Sequence, residues 1–237
     1  MERAESRPQE RVLFCFDFDL TLTHQHLYQQ VAQMMLGGVS RERACMRAIQ
    51  HLEERGARGG ERLWDVLTSL LVQGHGLAVC TFSAFPELPM SLLQRGAKEL
   101  RARGAQREHT GWLTRPIVTY GDPNPNLRPK LLTKGAYLVQ LPPEQMSEVG
   151  KRLHIERALE LANERLTRSL NAQGQAGVIP VCPTPHGDPE QPFTRVVLID
   201  DDPRNVELAL TQGYEAVLAP HPESGDEGFL EELLAYL

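Results

Sequence analysis

Short apolar runs alternate along the chain with longer amphipathic stretches, and this alternation predicts an α/β protein. Val12 to Phe16 (VLFCF), Leu77 to Cys80, Pro116 to Tyr120 and Val196 to Ile199 are brief apolar runs bounded by turn residues or charge, the pattern of strands buried on both faces. Ala136 to Val139 and Glu215 to Ala219 are shorter candidates of the same kind. Leu27 to Leu36, Ser40 to Arg55, Glu61 to Gln73, Glu87 to Arg103 and Gln145 to Leu170 carry helical patterns, with Ser40 placed to cap its helix and Gly37-Gly38 and Gly59-Gly60 as breaks. In the longest of these, Leu153, Ile155, Ala158, Leu159, Ala162 and Leu166 fall roughly on one face. Pro203 starts a further helix that Gly213 stops, the proline-first, glycine-after order, and Glu227 to Tyr236 closes the chain as a helix.

Strands separated by helices favour a mostly parallel, Rossmann-like sheet with helices on both faces, and such sheets bind ligands at the carboxyl ends of their strands. The chain of 237 residues fits one domain with its own core. Gly121 to Pro143 reads as loop around the short strand, and the five prolines and three glycines between Asn171 and Phe193 predict a flexible loop insertion over 171–195. A formal net charge of −6 argues against nonspecific binding to nucleic acid or to an anionic membrane. No apolar stretch approaches the roughly 18 to 20 residues that span a bilayer, and Met1 to Glu10 is charged without an apolar export segment, so a cytoplasmic protein is expected. The four cysteines, Cys15, Cys45, Cys80 and Cys182, are scattered and lack the spacing of a zinc knuckle or redox pair; Cys15 and Cys80 read as small buried hydrophobes.

The candidate chemistry sits where the strands end. Asp17 and Asp19 follow the first strand in Asp17-Phe18-Asp19-Leu20-Thr21, a DxDxT pattern whose first and third residues lean the same way from an extended backbone. Carboxylates so close repel unless a cation or a shared proton intervenes, so the pair implies a metal. The bland alternative is an acidic turn leaving the core. Thr81, Phe82 and Ser83 follow the second strand, and their hydroxyls either bind an anion or cap the next turn. Lys130, Lys134 and Lys151 are the downstream ammonium candidates, and Asp200-Asp201-Asp202, with Asn205 beyond, ends a later strand. That acidic run either ligates a metal or caps the Pro203 helix, although a cap needs only one acid.

Two acids, a hydroxyl residue, a lysine and a final acidic run in this order resemble the haloacid dehalogenase (HAD) superfamily of phosphatases and phosphotransferases, over about residues 11 to 220. The resemblance implies that Asp17 is a nucleophile forming an aspartyl phosphate and that Asp19 is the general acid and then general base. Dehalogenating members lack the second aspartate, so phosphoryl chemistry is the expectation. By the same resemblance Thr21 fixes the loop, while Thr81, with Phe82 and Ser83, binds the phosphoryl group. Lys151, with Lys130 as runner-up, offsets its charge. Asp201 is the principal metal ligand beside Asp17 and the main-chain carbonyl of Asp19, supported by Asp200, Asp202 and Asn205. An all-oxygen ligand set suits Mg²⁺. His154 reads as a locally packed helix residue. The short interval from Asp17 to Thr81 leaves room for a very small helical cap at 24–60 or none, so an open site is expected. Such a site admits a phosphorylated small molecule or a phosphoprotein, and a non-catalytic binding module or a phosphotransferase are the alternatives.

Overall fold

The computed structural model describes residues 10–105, 117–120, 136–139, 148–172 and 192–237. In chain order these form β1 (Val12–Phe16), α1 (Leu27–Leu36), α2 (Arg41–Arg55), α3 (Gly60–Val72), β2 (Gly76–Thr81), α4 (Glu87–Ala102), β3 (Ile117–Tyr120) and β4 (Ala136–Val139). There follow α5 (Arg152–Ala172), β5 (Arg195–Asp200), α6 (Pro203–Thr211), β6 (Glu215–Leu218), a 3₁₀ turn at Pro222–Ser224 and α7 (Gly228–Leu234). The strands make one six-stranded sheet in the order β4-β3-β2-β1-β5-β6, and every neighbouring pair is parallel. Most of the 121–143 and 171–195 segments expected to be loop lies outside the described residues, as do Lys130, Lys134 and Cys182.

The alternation of side chains along each strand divides the core into two layers. Val12, Phe14 and Phe16 of β1 join Leu77 and Val79 of β2 and Val197 and Ile199 of β5 on one face, packed against residues of α1, α2, α3, α4 and α7. Leu13, Cys15, Ala78, Cys80, Val196 and Leu198 point to the other face, where Ile155, Ala158, Leu161 and Ala162 of α5 and Ala209 of α6 cover them. Both faces of β1 are therefore sealed, and its run is uniformly apolar because no position faces water. Cys15 and Cys80 are fully buried in the second layer, as expected of small hydrophobes.

Helices α1 and α2 pack on one another and α2 packs on α4. Arg41 pairs with Glu87 at 2.8 Å, and Arg95 donates to the carbonyl of Leu52 at 3.1 Å. Ala44, Cys45, Ala48 and Leu52 of α2 belong to the same apolar cluster as α3 and α4, so the 27–55 segment is continuous with the scaffold's core. Ser40 caps α2 by accepting the Arg43 N–H at 3.4 Å. None of the described helices is long and apolar enough to cross a membrane.

The sheet order puts a switch point at β1. The chain runs from β1 outward through β2, β3 and β4, then returns to add β5 on the opposite side, and a crevice opens at the carboxyl ends where the order reverses. Asp17 follows β1, Thr81 ends β2 and Asp200 ends β5, so the three polar segments converge at that crevice.

One packing contact gives a test of this core. Gly96 lies inside α4, where a Cβ would come within 2.6 Å of the buried Trp64 ring. Alanine at this position gains about 1 kcal/mol of helix propensity, but the overpacking it introduces costs about 1–3 kcal/mol. Gly96→Ala is expected to lower the urea midpoint; a higher midpoint would show that Trp64 is free to move aside.

Candidate active site

The first loop leaves β1 under tight backbone control. The Asp17 N–H donates to the Ile199 carbonyl at 2.8 Å, extending the β1–β5 ladder by one residue and setting Asp17 beside the end of β5. Leu20 then takes a left-handed φ of 63°, the single non-glycine residue with positive φ among those described. Such a conformation is costly for a branched aliphatic residue and persists where its surroundings hold it. Three bonds do so. The Leu20 N–H donates to Thr23 Oγ1 at 3.0 Å, the Leu22 N–H to the Phe18 carbonyl at 3.0 Å, and Arg58 Nη1 to the Leu20 carbonyl at 2.8 Å. Arg58 is almost wholly buried and its other arm donates to the Asp226 carbonyl at 2.7 Å.

Thr23 and Arg58 were not among the expected site residues. The Thr23 hydroxyl ties the loop together, whereas that of Thr21 donates to Asp201 Oδ1 at 3.3 Å, across to the loop after β5. The chain offered a weak signal for Thr23, a second threonine two residues beyond the motif, and none for Arg58, which is one of many arginines in a glycine-rich break.

Asp19 is turned toward α1. Its Oδ1 accepts the Leu27 N–H at 2.8 Å, and the Tyr28 N–H lies 3.3–3.4 Å from both oxygens, so the carboxyl caps a helix whose N-cap residue, His26, makes no side-chain cap bond. Burial and the neighbouring Asp17 push the Asp19 carboxyl up to about 7, against the pull of those two amides.

The segment after β2 forms two successive hydroxyl turns. Thr81 Oγ1 accepts the Ser83 N–H at 3.2 Å and Ser83 Oγ accepts the Phe85 N–H at 3.2 Å. Both hydroxyls thus cap the turn, and each retains its own proton as a donor. Phe82 contributes its ring: Lys151 Nζ lies 4.7 Å from the ring centroid.

Lys151 sits at the start of α5, directly after Gly150 at φ 54°. Its ammonium is buried, donates to Asp17 Oδ1 and to the Cys80 carbonyl at 2.8 Å, and forms an ion pair with Asp200 Oδ2 at 3.3 Å. Burial alone would lower the lysine's affinity for its proton, but Asp17 and Asp200 override it and hold the ammonium charged.

The acidic run after β5 divides into distinct roles. Asp200 is fully buried; Asn205 Nδ2 donates to its two oxygens at 3.1 and 3.2 Å, and the Asp202 N–H donates at 3.0 Å. Asp201 is half-buried and receives Thr21. Asp202 caps α6, its Oδ1 accepting the Arg204 N–H at 2.9 Å, so one acid of the three serves the helix. Asp17, Asp200 and Asp201 each offer an oxygen, and these atoms lie within 4.8 Å of one another.

Burial pushes all three of these carboxyls above their ordinary range, Asp17 and Asp200 despite Lys151. One ammonium among three carboxylates leaves an excess of negative charge, and an all-oxygen cluster with that excess fits a hard divalent cation. The cluster could hold a metal ion. Its third carboxylate is that of Asp200; the Asp19 side chain is committed to α1, which leaves its main-chain carbonyl for the part expected of it.

Behind the lysine stands His154, fully buried, its ring edge-on to Phe82 at 5.1 Å. Among the described residues neither ring nitrogen has a hydrogen-bond partner. Burial, with Lys151 nearby, lowers its pKa to about 3, so the imidazole is neutral and acts as packing, as the sequence reading expected of it.

No family model matches the chain, and no curated protein or solved structure matches it either.

The histidine supplies a pH test. Its folded pKa of about 3 lies below the ordinary 6.5, so the unfolded chain binds the proton first; the group's contribution to stability is complete above pH 6.5 and is lost as pH falls toward 3. The stability of His154→Leu relative to wild type, measured by urea unfolding, is expected to rise between pH 7 and pH 4. A difference that does not change with pH would mean that the imidazole is not held neutral.

Proposed function

We propose that this chain is a Mg²⁺-dependent phosphomonoesterase of the haloacid dehalogenase type, working through an aspartyl phosphate on Asp17. The observation that carries the reading is the buried Lys151 ammonium bonded to Asp17, with Asp200 and Asp201 beside it, at the carboxyl edge of a parallel sheet. A lone nucleophilic carboxylate would repel an incoming phosphate. A fixed cation at its oxygen lets the two anions meet, and positioning with electrostatics then carries most of the barrier reduction.

In the first step an Asp17 oxygen attacks phosphorus and the bond to the ester oxygen breaks, while the protonated Asp19 carboxyl gives that oxygen its proton. An alcohol or phenol leaves. In the second step Asp19, now a carboxylate, takes a proton from water; the resulting hydroxide attacks phosphorus, and inorganic phosphate departs from Asp17. A carboxyl held near 7 suits both duties. The amides of Leu27 and Tyr28 orient it, the shorter bond engaging Oδ1 and leaving Oδ2 the freer to carry a proton.

The hydroxyl protons of Thr81 and Ser83 and the ammonium of Lys151 are the donors for the phosphoryl oxygens. Two Lys151 protons already have acceptors, Asp17 and the Cys80 carbonyl, so the ammonium has donor capacity left for a phosphoryl oxygen. The carboxylates of Asp17 and Asp201 and the main-chain carbonyl of Asp19 would hold Mg²⁺, which when bound would supply charge neutralisation at the phosphoryl group. Asp200, held by Asn205 and by the Asp202 N–H, pairs with the lysine and fixes the loop after β5. The substrate is a phosphorylated small molecule or protein side chain.

A second reading is a non-catalytic phosphate-binding module on the same scaffold, favoured by the pairing of Lys151 with Asp17 and Asp200. Hydrolysis separates the two. The protein is expected to release phosphate from an aryl phosphate with Mg²⁺ and to stop in excess EDTA, with Asp17→Asn inactive by several orders of magnitude. Phosphate release that persists in EDTA would remove the metal from the reading, and binding without turnover would favour the module. Asp19→Asn is expected to lose far more activity on an alkyl than on an activated aryl phosphate, because a good leaving group needs little protonation. An equal loss on both esters would sink the general-acid role.

A further inference from the structure

Two rings meet beside the Asp19 and Ser83 segments of this site. Tyr28 stands on the first turn of α1, with its N–H on the Asp19 carboxyl. Phe85 stands on the turn after β2, with its N–H on Ser83 Oγ. Their centroids are 5.6 Å apart at an interplanar angle of 37°. The pair bridges the loop that carries the proton donor and the loop that carries the hydroxyl donors.

The two rings are held unequally. Phe85 is 4% exposed, and the Arg41 guanidinium lies 4.8 Å above its centroid, itself fixed by Glu87 at 2.8 Å. Tyr28 is 38% exposed, and among the described residues its hydroxyl makes no hydrogen bond. A clamped ring thus backs a second ring that is open on its outer side. An exposed aromatic is unremarkable alone, but this one follows Leu27, whose amide makes the shortest bond to the carboxyl that would protonate the leaving oxygen.

We propose that Tyr28 is a specificity-determining residue whose ring stacks on the leaving group, and that the substrates of this site are therefore phosphomonoesters of phenols. The proposal rests on the phosphomonoesterase reading for its reaction and deepens it by naming the substrate class. In the proposed reaction the leaving oxygen lies at Asp19, whose carboxyl accepts the Tyr28 N–H, so the group bonded to that oxygen would lie beside Tyr28. A phenol carries its aromatic ring there, where an offset stack forms without a linker. An alkyl phosphate has no ring at that place. The phenol is a small molecule or the tyrosyl side chain of a peptide; the two share the same chemistry next to the phosphate.

Binding of phenylphosphonate and methylphosphonate, which cannot be hydrolysed at the carbon–phosphorus bond, tests the stack without requiring turnover. With Mg²⁺ present, the ratio of their affinities is expected to favour the phenyl compound in wild type and in Tyr28→Phe, and to fall about five- to tenfold in Tyr28→Ala. On phenyl phosphate the same substitution should raise KM more than it lowers kcat. An unchanged phenyl-to-methyl ratio in Tyr28→Ala would overturn the proposal, as would a loss in which both ligands weaken equally, since that is what a purely structural role at the start of α1 would produce. Comparing kcat/KM for phenyl phosphate, a phosphotyrosine peptide and a phosphoserine peptide then distinguishes the sources. Preference for the phosphoserine peptide over both phenolic substrates would also overturn it. A wild type that binds phenylphosphonate selectively but hydrolyses none of the esters would leave the stack standing and fail the catalytic reading instead.

Discussion

The structure around the crevice depends on one buried cation. Lys151 places an ammonium where two carboxylates, a strand-end carbonyl and an aromatic face converge, and nearly all of it is removed from water. Taking such charges out of water costs several kcal/mol per ion, and attraction offsets that only when the geometry is good and the remaining protons are satisfied. Here two hydrogen bonds and an ion pair with Asp200 hold the ammonium. Removing one member of a buried pair is typically destabilising by about 3–5 kcal/mol, since the other charge is stranded. Asp17 and Asp200 would both be stranded, so this contact is what lets two strand ends carry acids into the core.

Everything else near the crevice serves that placement. The parallel order with β1 between β2 and β5 brings Asp17, the Cys80 carbonyl and Asp200 side by side from sequence-distant segments. Gly150 turns the chain into α5, and any Cβ there would meet Leu208 at 3.1 Å as well as strain the backbone. Phe82 and the neutral His154 form an apolar wall behind the ammonium, which keeps water away and strengthens the charge pairs in front. Under the proposed function, a phosphate entering this site would compete with acids already paired with the lysine. A divalent cation on Asp17 and Asp201 would relieve that competition by taking over part of the negative charge.

Much of this architecture was legible in the chain. Uninterrupted apolar runs revealed β1 and β5 because both faces of each strand are covered, and the acids directly after them marked the strand ends. Lys151 was distinguishable from Lys130 and Lys134 only through its position at the start of a helix; its ammonium lies against Asp17, while the other two lysines lie outside the described residues. The orientation of Asp19 was not legible, because a helix N-terminus eight residues downstream captures its carboxyl and no periodic pattern encodes that bond. Nor was the division of labour among Asp200, Asp201 and Asp202, which depends on Asn205, Thr21 and the α6 cap. Arg58 and Thr23 hold the strained Leu20 turn through backbone carbonyls and amides, partners that leave no trace in residue type.

The central claim is that Lys151 and its acids exist to let Asp17 accept a phosphoryl group. The most direct measurement is peptide-level mass spectrometry after mixing the protein with Mg²⁺ and an aryl phosphate and quenching in acid. We expect one phosphoryl group on the peptide containing Asp17, labile to hydroxylamine as an acyl phosphate must be and missing from Asp17→Asn. A phosphoryl group on a serine, threonine or histidine elsewhere, or steady release of phosphate by Asp17→Asn at the wild-type rate, would contradict it.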